Sequence, residues 1–117
     1  MRVCVLGLGY IGLPTAVMLA SAGHDVIGVD IKEEVISAVK EGNSHINEPG
    51  LDELLKDVLR SGKLKVGLAP IESDAFIISV QTPLTEKAGS ETPSADLTYV
   101  MEAAASITSV LRAGNLV

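Results

Sequence analysis

"VLGLGYIGLPTAVMLASAG", residues 5–23, decides the fold of this 117-residue chain. It starts inside a short apolar run, turns on Gly7, Gly9 and Gly12, and continues in almost entirely apolar or small residues to Gly23. The run Val3-Cys4-Val5-Leu6 shows no alternation of apolar and polar residues, so it predicts a strand buried on both faces, as at the centre of a parallel sheet. Residues 11–22 predict a helix. Pro14 falls in its first turn, where a missing N–H costs nothing, and Gly23 stands where a helix ends.

The same alternation continues along the chain. Residues 26–30, VIGVD, repeat the strand pattern and end in an acid, and residues 33–41 carry Val35, Ile36 and Val39 at helical spacing, closed by Gly42. Residues 43–50, NSHINEPG, are rich in turn formers and predict a loop that feeds an amphipathic helix with Leu51, Leu54, Leu55, Val58 and Leu59 on its apolar stripe. Strands are expected at 63–68 and 75–80, a long polar loop at 81–96, and a helix at 97–113 with Gly114 as the residue after its end. The final residues, NLV, read as the opening of a further strand. Together these predict one α/β domain over residues 1–117, a Rossmann-type doubly wound parallel sheet of strand order 3-2-1-4-5 that stops before its last strands. The chain reads as a fragment of a longer protein.

Composition narrows the function classes. Nine Lys and Arg against 15 Asp and Glu give a net charge of -6, and no basic run interleaves with aromatics, so nucleic acid is not an expected partner. Cys4 is the single cysteine, and His24 and His45 lack ligand spacing, which argues against a disulfide framework and against a metal site. The N-terminal apolar stretch is broken by glycines and Pro14, so neither a signal peptide nor a membrane span is expected. A soluble, cytoplasmic protein follows from these readings.

GLGYIG between a predicted buried strand and a predicted helix, with Asp30 ending the second strand eighteen residues beyond Gly12, meets the conditions of a dinucleotide fingerprint. Gly7 permits a tight turn, Gly9 lets backbone approach a pyrophosphate, and Gly12 lets the helix pack on the strand. The N–H groups at the helix start, including those of Tyr10 and Ile11, and the positive end of the helix dipole would then hold the phosphates. The competing reading is a compact turn with Asp30 serving only to cap the next helix. A carboxylate at Asp30 accepts hydrogen bonds from a ribose diol and repels a 2′-phosphate, which selects NAD over NADP. Ile31 follows at the same strand end and joins the expected cofactor contacts. Lys32 reads as an exposed lysine at a helix start. The Tyr10 ring would either cover the dinucleotide or fill the crevice. Thr82, in SVQTP after the fourth strand, lies on the same sheet edge and offers a hydroxyl to a ribose or nicotinamide-side group; its alternative is a loop threonine without a ligand. Cys4, inside the first buried strand, reads as structural. His45 and Glu48 lie in a loop where they would reach a substrate, reach another domain or simply be solvated. No catalytic arrangement can be read from the chain.

Four stretches, VLGLGYIGLPTA, VIGVDI, INEPGL and VQTPL, followed by ADLTYV, resemble the N-terminal NAD-binding domain of the UDP-glucose/GDP-mannose 6-dehydrogenases, and they span nearly the whole chain. The resemblance implies an enzyme that oxidises the C6 hydroxyl of a UDP-sugar to a carboxylate with two NAD. Gly7, Gly9, Tyr10, Ile11, Gly12, Asp30 and Thr82 match the family's cofactor contacts. Val35 departs from the family, whose members often carry Lys or Arg there. GYIGLPTA is more similar to the branch acting on UDP-N-acetylmannosamine than to the UDP-glucose branch, which remains the alternative. The family's catalytic residues belong to middle and C-terminal domains, so the resemblance implies no catalytic residue here. It also implies a homodimer or higher oligomer for the whole enzyme, with this piece monomeric. A non-enzymatic NAD-sensing domain is the alternative of another class.

Overall fold

A computed structural model describes residues 1–85 and 92–117. Strands β1 (Arg2–Leu6), β2 (Asp25–Val29), β3 (Leu64–Gly67) and β4 (Ala75–Ile78) form a parallel sheet in the order β3-β2-β1-β4. Helices α1 (Gly12–Ser21), α2 (Glu33–Lys40) and α3 (Leu51–Arg60) precede β4, and α4 (Thr98–Ile107) follows it.

β1 shows why the fold is doubly wound. Val3 and Val5 belong to a core formed with Leu13, Ala16 and Val17 of α1, Ile36 and Val39 of α2, and Leu51, Leu55 and Val58 of α3. Cys4 and Leu6 point the other way, into a second core with Val29, Phe76, and Ala103 and Ile107 of α4. Successive side chains of a strand leave on opposite faces, so a continuous apolar run is what two covered faces require. Burial raises the pKa of the Cys4 thiol, with a weaker opposing contribution from the Ile71 backbone, in keeping with a packing role.

The chain passes from β3, at one edge, to β4, beside β1, through residues 68–74 without a helix. The strand order reverses between β1 and β4, and in open α/β sheets ligands bind at that switch point, outside the carboxyl ends of the strands. Leu116 makes an isolated parallel bridge to Ala75, with Phe76 N donating to Leu116 O at 2.8 Å and Leu116 N to Asp74 O at 3.1 Å. This is the place of the expected fifth strand.

Two expectations need correction. The helix predicted over 97–113 ends at Ile107: the Ser106 and Thr108 hydroxyls donate to the Ala103 and Ala105 carbonyls, and the backbone tightens to i−3 bonds at Thr108 and Val110. Gly114 (φ 90°) therefore serves a later turn, closed by Asn115 N to Arg112 O at 3.1 Å and by Arg112 N to Asn115 Oδ1 at 2.8 Å. The expected loop at 81–96 contains a short antiparallel pair, β5 (Leu84–Thr85) with β6 (Ser94–Ala95); the expected disordered tip lies outside the described residues. Asp96 then starts α4 by accepting Thr98 N at 2.9 Å and Thr98 Oγ1 at 2.6 Å. No helix among the described residues is long and apolar enough to cross a membrane.

Candidate cofactor site

The glycine turn is locked to its neighbours from three sides. Gly7 N donates to Val29 O at 2.8 Å, so the end of β1 is tied to the end of β2. Gly7 has φ 97°, and a Cβ there would lie 2.6 Å from Ser79 O, so this position excludes side chains on two counts. The Ser79 hydroxyl lies 3.1 Å from both the Leu6 and Gly7 carbonyl oxygens, fastening the turn to the end of β4. A Cβ on Gly12 would approach Gly7 O to 1.6 Å and Ser79 Oγ to 2.5 Å. Gly12 is therefore required for α1 to start against the turn, as its spacing predicted.

Gly9 differs from both. A Cβ built on it meets no heavy atom of the described residues within 4 Å. Packing within the chain does not account for glycine here, whereas close approach of an external group to the backbone does. The N–H groups of Gly9, Tyr10, Ile11 and Gly12 have no acceptor among the described residues, and the first N–H of α1 with a partner is that of Leu13, which donates to Gly9 O at 3.1 Å. Four free donors at the start of a ten-residue helix suit an anion.

Asp30 is more than a helix cap. Its Oδ1 accepts Lys32 N at 3.0 Å at the start of α2, and its Oδ2 accepts Leu8 N at 3.0 Å within the glycine turn. A carboxylate has roughly four lone-pair positions, so two remain for a diol. The capping and ribose readings of Asp30 are thus compatible in one geometry.

A cavity of about 410 Å³ opens at the carboxyl ends of the strands, between the glycine turn, the end of β2, the segments after β3 and β4, and one face of α4. Gly7, Gly9, Asp30 and Ile31 line it. Tyr10 and Ile11 are 79% and 71% exposed and do not, so the Tyr10 ring does not fill the crevice. Gly12, the first residue of α1, is buried, and Thr82 is exposed outside the cavity, whose wall after β4 is made by Ser79, Val80 and Gln81. Val35, partly buried against the core, lines the cavity as an aliphatic wall. Sequence reasoning missed Ser79, Tyr99 and Glu102. The α4 pair sits three residues apart on the face turned to the cavity, a spacing recognisable only once the start of α4 is known. No group of three or more potential metal ligands occurs among the described residues.

Residues 1–117 match the UDP-glucose/GDP-mannose dehydrogenase family, NAD binding domain. The chain belongs to this family. It is 48% identical over 117 residues to a UDP-N-acetyl-D-mannosamine dehydrogenase of Methanococcus maripaludis, covering 99% of this chain and 27% of that protein. Among solved structures it is similar to the UDP-N-acetyl-mannosamine dehydrogenase of Staphylococcus aureus, with a TM-score of 0.91 and 46% identity over 99% of this chain and 28% of that one. A GDP-mannose dehydrogenase from Pseudomonas aeruginosa, solved as a ternary complex, is 36% identical with a TM-score of 0.81, over 92% of this chain and 24% of that one. The chain thus spans about a quarter of the length of the relatives it matches. In this dehydrogenase family the cofactor is NAD, and the open space at Gly9, the free donors of the turn and the spare acceptor capacity of Asp30 fit that molecule.

Proposed function

We propose that this chain is the cofactor-binding part of a nucleotide-sugar 6-dehydrogenase that oxidises the C6 hydroxyl of UDP-N-acetylmannosamine to a carboxylate. The single observation that carries the cofactor role is Gly9, a glycine that packing among the described residues does not require, at the head of four N–H groups, those of residues 9–12, that have no acceptor among those residues. The substrate assignment is supported by identities of 48% and 46% to enzymes named for UDP-N-acetylmannosamine, against 36% to one named for GDP-mannose.

In this reading the backbone N–H groups of Gly9, Tyr10, Ile11 and Gly12 bind the pyrophosphate, and Gly7 holds the turn in shape. Asp30 accepts hydrogen bonds from the adenosine ribose and disfavours a 2′-phosphate. Ile31 packs against the adenosine, and the Thr82 hydroxyl, exposed outside the cavity, reaches the nicotinamide side. Bound NAD supplies the hydride acceptor, twice per sugar. The residues that bind the sugar nucleotide and attack its C6 belong to the part of the protein beyond residues 1–117, whose relatives are about four times longer. The whole protein is proposed as a cytoplasmic homodimer or higher oligomer, this domain alone as a monomer.

The test is to supply the full-length protein with UDP-N-acetylmannosamine and NAD and follow NADH. Production of two NADH per sugar is expected, with UDP-glucose turned over more slowly. NADH from UDP-glucose alone would overturn the substrate assignment, and none from any UDP-hexose would overturn the enzyme reading.

A further inference from the structure

His45 is the only non-glycine among the described residues with a positive φ, 51°. That region is costly for a side chain, though histidine enters it more readily than most. The loop 43–50 fixes it there. His45 N donates to Asn43 Oδ1 at 3.0 Å. The preceding residue, Ser44, is fully buried; its N–H donates to Asp52 Oδ1 at 3.0 Å, and its hydroxyl oxygen accepts Ile46 N at 3.2 Å. Both neighbours of His45 are thereby anchored to the body of the domain, one of them through the first turn of α3.

What this anchoring presents is His45, an exposed loop residue that lines the same cavity as Asp30, Ile31, Lys32 and Val35. Those four residues follow β2, on the side where Asp30 would hold the adenosine ribose. An imidazole offers a flat face to a base and a ring N–H to a ribose or phosphate oxygen.

We propose that His45 is a binding residue for the adenosine half of the dinucleotide, and that the loop 43–50 holds its backbone left-handed in order to place it there. The proposal rests on the cofactor reading above. Two variants of the chain separate contact from loop closure. His45→Gly removes the side chain and relieves the backbone, and His45→Asn keeps a side chain that tolerates the left-handed region but lacks the ring.

Each is titrated with NAD and with ADP-ribose, and its thermal midpoint is measured. For His45→Gly the midpoint should not fall, and both ligands should bind about fivefold more weakly or worse, the loss of a single stacking contact. The loss should be alike for the two ligands because they share the adenosine half. His45→Asn should lose affinity in the same way. Unchanged affinity in the glycine variant, or a loss for NAD but not for ADP-ribose, would overturn the proposal. A lowered midpoint in His45→Gly together with full affinity in His45→Asn would also overturn it. If the unsubstituted chain binds neither ligand, the cofactor reading itself fails, and that outcome is distinct from the others.

Discussion

Asp30 Oδ2 accepts the backbone N–H of Leu8 at 3.0 Å, so the acid at the end of β2 helps to hold the glycine turn it is proposed to work beside. With Oδ1 bound to Lys32 N at 3.0 Å, the carboxylate joins β1, β2 and α2 at one point. A loss of NAD binding on removing Asp30 is therefore ambiguous, because the turn is disturbed as well. The ratio of NAD to NADP affinity is the better measure. Asp30→Asn should lower it at least about tenfold, since the charge opposing a 2′-phosphate is gone. Stability should fall by about 1–2 kcal/mol for the weakened charge-assisted bonds. Competitive titration of the two cofactors checks the first, and urea unfolding the second; an unchanged ratio would remove Asp30 from the ribose.

Gly12→Ala should cost at least about 3 kcal/mol, beyond the usual range for an overpacked site, because the new methyl would have to displace the Gly7 backbone rather than a flexible side chain. Denaturant unfolding measures this directly. A Gly12→Ala chain with unaltered stability would mean that α1 does not seat on the turn as described.

Ser79→Ala removes the hydroxyl that faces the Leu6 and Gly7 carbonyls. A cost of about 1 kcal/mol is expected, the usual net worth of one hydrogen bond. Hydrogen exchange should show faster opening at the glycine turn, with the α3 region unaffected.

Acid should loosen the domain at three points, one of them Glu72, whose carboxyl the Arg112 guanidinium holds below its ordinary value by hydrogen bond and charge. The Asp52 carboxyl is held below its ordinary value of 3.8 chiefly by its hydrogen bonds with Ser44, and that of Asp96 by its hydrogen bonds with Thr98. A carboxyl whose pKa is lower folded than unfolded binds fewer protons folded, so its contribution is complete above about pH 4 and disappears as pH falls through the lowered value. Stability measured by urea unfolding should therefore drop below pH 4. Asp52→Asn should flatten that drop, and an identical pH profile in the variant would show that the Ser44 contact has no such role.

Much of the fold was legible because β1 and the glycine turn are governed by short-range rules. An unbroken apolar run needs two covered faces, and Gly12 was recognisable from its distance to Gly7. The end of α4 was not legible, because Ser106 and Thr108 redirect the last carbonyls through their own hydroxyls, and an apolar pattern over 97–113 does not register that competition. The site divided in the same way. Gly7, Gly9, Asp30 and Ile31 lie where local sequence put them, on a turn and the strand end beside it. Ser79, His45, Tyr99 and Glu102 reach the cavity from segments brought together only by the sheet order and by the loop anchored at Asp52. The β5–β6 pair escaped notice because two-residue strands carry no readable alternation.

The most direct test of the central claim is NAD titration of Gly9→Ala beside the unsubstituted chain, with thermal unfolding of both. The described residues leave room for that methyl, so the unfolding midpoint should not change. A methyl group standing between the turn and the pyrophosphate should weaken NAD at least about tenfold, a difference of about 1.4 kcal/mol. A folded Gly9→Ala chain that binds NAD as tightly as the original would contradict the account.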